Sequence, residues 1–293
     1  MSWRNALEPI GPVTAARIDK VVRGLLMGHL PIGCHRPFDL EALLNSIGID
    51  VEEDDGWSAE RVQGMALPSE ELIILRSGLA PPLRREVLAH EAAHHVIPWH
   101  AAQVEASRST VLSKDAADVL WPRFESEAEH FASELLLGDD FDAVCRRYEM
   151  RIDLPVNLAR ELRVTIKFAI RRYVLSHGRA SAAFALPVDT PAPELFANEH
   201  CLAISAGAIG RLPQLVEPVT ELVEKVERLR AKPKNAWGSD ACVVRLVDVR
   251  GGKAEVVRVE MQAHSRAVFA LVVFDASETR SNRELPQKLL RLT

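Results

Sequence analysis

The pattern His-Glu-x-x-His lies within the stretch Arg84-Arg85-Glu86-Val87-Leu88-Ala89-His90-Glu91-Ala92-Ala93-His94-His95. Residues 83–97 contain no glycine and no proline and are rich in good helix formers, so we predict a helix there. Side chains four residues apart lie on one face of a helix, so His90 and His94 can hold one metal ion between them. Glu91 would project beside that ion, where it can take a proton from a water molecule.

A surface helix that carries two histidines by chance is the alternative, because the pattern fixes only three positions. A third ligand downstream would weaken that alternative, and residues 124–137 offer one. Glu125 and Glu129 are four apart and share a helix face with Ala128 and Ala132, whose small side chains let two helices approach closely. This would carry Glu125 to the metal and leave Glu129 able to accept a hydrogen bond from a histidine ligand. A solvated acidic face is the alternative interpretation.

The predicted helix at residues 83–97, which carries the two histidines, is called the metal helix. Two helices and three short strands are predicted before it. Apolar periodicity indicates a helix over residues 14–30, and a second opens near Pro37 with Asp39 as its N-cap and Gly48 as a left-handed C-cap. Strands are predicted at residues 49–51, 62–67 and 72–75. They either cover the helix or present a sheet edge to which an extended substrate can pair.

These stretches resemble the ImmA/IrrE family of zinc metallopeptidases. The resemblance is carried by residues 37–44 with 48–51, by Arg84 through His94, and by Glu125 through Leu137. It covers about residues 14–180 and implies a zincin-like core, in which the first glutamate of the later helix, Glu125 and not Glu127, is the third zinc ligand. Two departures are Glu129, where the family usually has Asn or Asp, and Leu137-Gly138, where it usually has Met-Pro.

Length and composition indicate an ordinary globular protein. With 293 residues, 47% hydrophobic and 26% charged, the chain is too long for one small core, and its class is predicted as α+β. We predict three parts: a metallopeptidase core (1–138), a helical segment (139–185) and a small α+β domain (186–293). The beginning of the chain has no apolar signal core and no stretch is long enough to span a membrane, while four scattered cysteines fit a reducing cytoplasm.

The middle segment is basic. Residues 146–179 contain nine Lys/Arg and three Asp/Glu, although the whole chain has a net charge of -5. Residues 158–175 resemble a helix-turn-helix, in which Thr165 caps a second helix that carries Lys167, Arg171 and Arg172. Those three side chains would contact nucleic-acid phosphates. The alternative is a helical subdomain that packs on the rest of the protein and only resembles a DNA reader.

The C-terminal part is predicted to begin with a linker at Pro187, Pro191 and Pro193, followed by a helix at 218–231. Strands at 241–249, 253–261 and 267–274 follow, with a hairpin turn at 250–252 and a last helix at 283–290. Some members of the family carry a GAF-like sensing domain here, so a regulatory role is one interpretation. Four residues are assigned to packing or surface rather than to a second metal site: His200, Cys201, Cys242 and His264.

The resemblance implies a zinc-dependent metalloendopeptidase that makes limited cuts in a protein, typically a helix-turn-helix transcriptional repressor, and so switches on a stress or mobile-element response. His90, His94 and Glu125 would bind zinc, although manganese or iron also suit these ligands. Glu91 would be the general base. An oxyanion stabiliser is expected but is not assigned among His95, His100 and His130. The alternatives are a non-catalytic zinc-containing regulator that binds DNA or a protein, and a toxin or antitoxin component.

Overall fold

The structure is a computed structural model that describes residues 10–32, 34–56, 62–101, 114–187, 201–205, 208, 220–231, 238–246, 255–264 and 267–274. It is mixed α+β with two small sheets. Contacts divide the chain into two units. The first contains Met1–Asp139 and Leu162–Thr165, and the second contains Asp140–Glu161 and Ile166–Thr293. No helix of the described ranges is both long enough and apolar enough to cross a membrane.

The first unit contains helices and one three-stranded sheet among its described residues. Along the chain they are α1 (Pro12–His29), α2 (Leu40–Asn45), β1 (Asp50–Asp54), β2 (Gly64–Leu67), a 3-10 turn (Pro68–Glu70), β3 (Leu72–Arg76), α3 (Pro81–Val96) and α4 (Lys114–Leu136).

The start of this unit follows the sequence patterns. The Asp39 carboxylate accepts a hydrogen bond from the Ala42 backbone N–H at 3.1 Å, so Asp39 caps α2 as predicted. Gly48 adopts φ +82° in the turn that ends the helix, a conformation that favours glycine. These local signals place β1 directly after α2.

The three-stranded sheet has the order β1-β3-β2. β1 runs parallel to β3, and β2 runs antiparallel to it. Ile73 and Leu75 of the central strand are fully buried, and α3 packs against both β2 and β3. Among the described strands β2 therefore forms the sheet edge that borders α3.

Helix α4 begins at Lys114, ten residues before the stretch 124–137 from which Glu125 and Glu129 were predicted to reach the metal. Pro122 lies inside this helix. Residues 114–121 include a lysine, two alanines and a leucine, which are good helix formers, and the helix continues through Pro122. The Ser126 hydroxyl donates a hydrogen bond to the Pro122 carbonyl at 3.0 Å.

Most of the remaining elements belong to the second unit. They are α5 (Gly138–Arg147), α6 (Asp153–Leu162), α7 (Ile166–Ser176), β4 (Ser181–Pro187), β5 (Cys201–Ile204), α8 (Thr220–Arg230), β6 (Gly238–Leu246), β7 (Glu255–His264) and β8 (Ala267–Phe274). The second unit thus contains both the segment 139–185, apart from a few residues, and the described C-terminal part. The three-part division of the chain stays a prediction.

The sheet of this unit has five antiparallel strands in the order β5-β4-β8-β7-β6. The sequence predicts α8 and the three strands β6, β7 and β8, but not β4 or β5. Pro187 was assigned to a linker, yet it pairs with Ala267 as the last residue of β4. Alanine has low strand propensity, and burial of the alanines of β4 overrides it.

The two faces of this sheet differ in character. One face packs apolar side chains, including Phe184, Met261 and Phe274, against Val226 and Leu229 of α8. Alternate residues of β7 point the other way. There the Glu260 carboxylate accepts a hydrogen bond from the Ile152 backbone N–H, and the Arg258 guanidinium donates to the Met150 carbonyl. The helical segment is therefore tied to the sheet by buried polar contacts.

Several predictions fall outside the described residues. These are the hairpin turn at 250–252, the last helix at 283–290, Pro191, Pro193, His200 and the side chain of Cys242. Cys201 and His264 are half-buried within strands.

Candidate metal centre

Three side chains from two helices converge in the first unit. His90 and His94 come from α3, and Glu125 comes from α4. The Glu125 Oε2 atom lies 3.2 Å from His90 Nε2, and Glu125 Oε1 lies 3.8 Å from His94 Nε2. One ligand atom from each residue lies within 4.8 Å of the others. Two imidazole nitrogens and a carboxylate at this spacing fit a divalent transition metal, so this group could hold an ion.

Small residues bring the two helices together. Ala89 and Ala93 of α3 and Ala128 and Ala132 of α4 are each 0% exposed, and the helices pack against one another. A helix face without long side chains lets the backbones approach closely enough for a glutamate to reach a histidine across the gap. The predicted convergence of Glu125 with the histidine pair therefore has a packing cause.

Glu91 lies beside this group. Burial raises the pKa of the Glu91 carboxyl to about 7, with the nearby Glu125 adding to the rise, while His90 and a hydrogen bond from the Ala66 backbone N–H oppose it. A carboxyl with a pKa near 7 can both accept and release a proton at neutral pH.

The edge strand approaches Glu91 through a glycine. A Cβ added to Gly64 would lie 2.6 Å from Val87 Cγ1 and 2.8 Å from Glu91 Cγ. No side chain fits at that separation, so Gly64 allows β2 to lie directly against α3. This role of Gly64 was not predicted, although a glycine inside a strand pattern indicates a close approach of two backbones.

A polar chain extends behind His94. The His94 and His100 Nδ1 atoms are 3.3 Å apart, and His100 Nε2 lies 3.1 Å from Glu127 Oε2. His100 and Glu127 are both fully buried. No role was predicted for Glu127, because the resemblance implies Glu125 as the zinc ligand. Its signal was a carboxylate placed on the apolar stripe of α4, three residues after Phe124 and four before Phe131.

Glu129 was predicted to orient a histidine ligand. It is half-buried and one turn from Glu125. His94 is reached from behind by Glu127 through His100. The role of Glu129 stays a prediction.

The three histidines considered as oxyanion stabilisers have contacts elsewhere. His95 Nε2 lies 3.2 Å from the Leu72 carbonyl, and His100 lies behind His94. His130 Nε2 lies 2.8 Å from Asp19 Oδ1 of α1. With Glu134 these two residues form a second group whose ligand atoms lie within 4.8 Å of one another. The short contact between His130 and Asp19 joins α1 to α4.

A cavity of about 510 Å³ also lies in the first unit. It is lined by residues of α1 and α3, among them Lys20, His29 and His95. None of His90, His94 and Glu125 lines it, so this cavity is separate from the candidate metal centre.

The predicted phosphate-contacting residues lie on α7 but not on a common open face. Lys167 is exposed, whereas Arg171 and Arg172 are half-buried. The Arg172 guanidinium donates two hydrogen bonds to the Asp142 carboxylate, at 3.0 and 2.6 Å. Burial lowers the pKa of Arg171 to about 10. Within α7 only Lys167 and Leu175 are exposed.

Thr165, predicted to cap α7, bonds to the metal helix. Its hydroxyl donates to Glu86 Oε2 at 3.1 Å, and its backbone N–H donates to Glu86 Oε1. Burial raises the pKa of the Glu86 carboxyl to about 7, and both hydrogen bonds from Thr165 oppose the rise. Glu86 precedes His90 by one turn of α3. The contact between Glu86 and Thr165 therefore lies one turn before the first histidine of the candidate metal centre.

Comparisons with known proteins find similarity of structure but none of sequence family. No known protein-family profile matches the chain, and no curated protein sequence matches it. Among solved structures, one that matches is a Mycobacterium tuberculosis transcriptional regulator, with a TM-score of 0.53 and 15% sequence identity. The match covers 88% of this chain and 76% of that chain. At this identity the similarity shows a shared fold and nothing further.

Proposed function

We propose that the chain is a zinc-dependent metalloendopeptidase with a zincin-like core of the ImmA/IrrE kind. Its substrate class is a protein cut at few sites, and a helix-turn-helix transcriptional repressor fits the resemblance best. One observation supports the proposal more than any other. His90, His94 and Glu125 converge from two helices, with ligand atoms within 4.8 Å of one another and Glu91 beside them.

Each residue of the centre has a defined part in hydrolysis. His90 and His94 present Nε2 atoms toward Glu125, and together the three side chains would hold the ion. Zinc in such a site supplies Lewis acidity, which polarises a carbonyl and lowers the pKa of a water molecule. Glu125 is the most exposed of the three, with a side chain 28% exposed against 13% for His90 and 5% for His94. The open side of the centre therefore lies near Glu125.

Glu91 would move the proton. It takes a proton from the attacking water and delivers it to the amine that leaves when the peptide bond breaks. Its pKa of about 7 suits both transfers. The substrate would lie as an extended strand along β2, the edge of the sheet next to α3.

The test is the Glu91→Gln variant of the zinc-loaded full chain. The helix-turn-helix protein encoded nearest to it in the genome and a proteome-derived peptide library serve as substrates, and new N-termini are read by mass spectrometry. We expect the variant to keep its zinc and to lose cleavage by about 100-fold or more, because general-base catalysis contributes roughly 10²–10⁴-fold. Cleavage by the variant at the wild-type rate would contradict the mechanism.

A non-catalytic regulator is the second candidate, favoured by one specific observation. The structural neighbour is described as a transcriptional regulator. In this interpretation zinc is structural and the basic middle segment contacts DNA. An electrophoretic shift assay over a salt series separates the two candidates. Binding that weakens steeply with salt, in a chain without cleavage activity, supports the regulator.

A further inference from the structure

We propose that Glu127 and His100 form a positioning relay that holds His94 in the tautomer whose Nε2 lone pair faces the metal centre. The inference rests on the proposed function, because it concerns the same site. Neither residue touches the reacting atoms. Both act on His94 through hydrogen bonds.

The relay begins at a carboxylate that is surrounded by donors. Glu127 Oε2 accepts a hydrogen bond from the Trp99 indole N–H at 2.5 Å, and Oε1 accepts one from Arg123 Nε at 2.8 Å. An indole can only donate, and so can a guanidinium. These two fixed donors hold the Glu127 carboxylate as an acceptor, although its side chain is only 1% exposed.

His100 lies between the Glu127 carboxylate and the His94 ring and contacts both. Its Nε2 lies 3.1 Å from Glu127 Oε2, so it is the nitrogen that carries a proton and donates to the carboxylate. A neutral imidazole has one donor and one acceptor nitrogen, which leaves His100 Nδ1 as the acceptor. The atom facing that lone pair is His94 Nδ1, at 3.3 Å.

The consequence for His94 follows from the same rule. If Nδ1 donates to His100, the proton of His94 is on Nδ1 and the lone pair is on Nε2. His94 Nε2 is the atom that lies 3.8 Å from Glu125 Oε1. The relay therefore orients the Nε2 lone pair of His94 toward the centre before a metal ion binds. Binding then requires less free energy to reorient this ligand.

Packing keeps the three groups in line. His100 is fully buried, its ring lies 4.8 Å from the Phe124 ring in an edge-to-face arrangement, and the His94 ring is stacked parallel to Trp121. One competing arrangement exists. A doubly protonated His100 would donate to His94 Nδ1, the proton of His94 would move to Nε2, and the ring would present a donor to the metal.

Nitrogen-15 NMR of the imidazoles distinguishes these arrangements in the metal-free full-length wild type. We expect the His94 proton on Nδ1 and the His100 proton on Nε2. His100→Phe, which keeps an aromatic ring beside Phe124, identifies the signals. A His94 proton on Nε2 in the wild type overturns the relay.

Zinc affinity, measured by competition with a fluorescent chelator, gives the second test. We expect Glu127→Ala and His100→Phe to weaken zinc binding by roughly 10–100-fold, the usual effect of losing a residue that orients a ligand. Glu127→Gln keeps an acceptor oxygen and should lose less. Glu52→Ala is the matched control, because it removes an exposed carboxylate of β1 that has no part in the relay, and it should change affinity by no more than about twofold.

The possible results distinguish a failure of the relay proposal from a failure of the metal-centre proposal. A wild-type chain that binds no zinc overturns the metal centre and the relay with it. A wild type that binds zinc, with Glu127→Ala binding it equally tightly, overturns the relay alone and leaves the proposed function intact. Near-UV circular dichroism of each metal-free variant shows whether its tertiary packing is retained.

Discussion

Helices α3 and α7 both carry polar residues in patterns that are typical of a functional site, but their side chains have different surroundings. On α3, His90 and His94 face a carboxylate from a second helix across a gap lined with alanine. On α7, Arg172 is paired with Asp142 and only Lys167 and Leu175 are exposed. The comparison teaches that helical spacing predicts which residues share a face, whereas what that face meets depends on packing elsewhere in the chain.

The largest effect on stability is expected at Asp142. Its carboxylate is the partner of Arg172, and their side chains are 10% and 11% exposed. Asp142→Ala leaves a half-buried guanidinium without this partner, so we expect the free energy of unfolding to fall by about 3–5 kcal/mol. Urea denaturation measures it.

The double variant Asp142→Ala with Arg172→Ala should recover part of that loss, because no unpaired charge remains. Lys167→Ala is the exposed control and should change stability by less than about 0.5 kcal/mol. An unchanged free energy of unfolding in Asp142→Ala would contradict the structural role of Arg172. Phosphate contact by α7 would then be the better interpretation of this side chain.

A pH effect of slightly smaller size is expected at Glu86 of α3. Its folded-state pKa of about 7 lies above the ordinary value of 4.5. The folded protein therefore holds this proton more strongly than the unfolded chain. The resulting stability is fully present below about pH 4.5 and is lost as the pH rises through about 7, a change of roughly 3 kcal/mol.

Glu86→Gln keeps an acceptor for Thr165 but does not titrate. Between pH 5 and pH 8 the wild type should therefore lose about 2.5 kcal/mol of unfolding free energy relative to this variant. Urea denaturation across that range measures the difference, with exposed Glu52→Gln as the control. Parallel pH profiles for wild type and Glu86→Gln would contradict the assigned burial of the carboxyl.

Local signals predicted much of the first unit. The helix around His90, the Asp39 cap and the Gly48 turn each depend on residues within a few positions of one another, and the structure has all three. Convergence of Glu125 with the histidines was also predicted, because alanines at helical spacing indicate a close helix contact. The enzyme activity itself stays a prediction.

Non-local contacts account for what the sequence analysis missed. His100 and Glu127 are 27 residues apart, and no periodicity relates them. Gly64 gains its role only from a helix that begins 17 residues later. β4 is rich in alanine, which has low strand propensity, and it becomes a strand because β8 and β5 pair with both of its edges.

The central claim is that His90, His94 and Glu125 hold one metal ion. Its most direct test is the zinc content of the purified full-length chain, by elemental mass spectrometry of the wild type and of His94→Ala and Glu125→Ala. We predict about one zinc per wild-type chain, as in a three-residue catalytic site, and its loss in both variants. A wild type without zinc, or a Glu125→Ala variant that retains a full equivalent, would contradict the account.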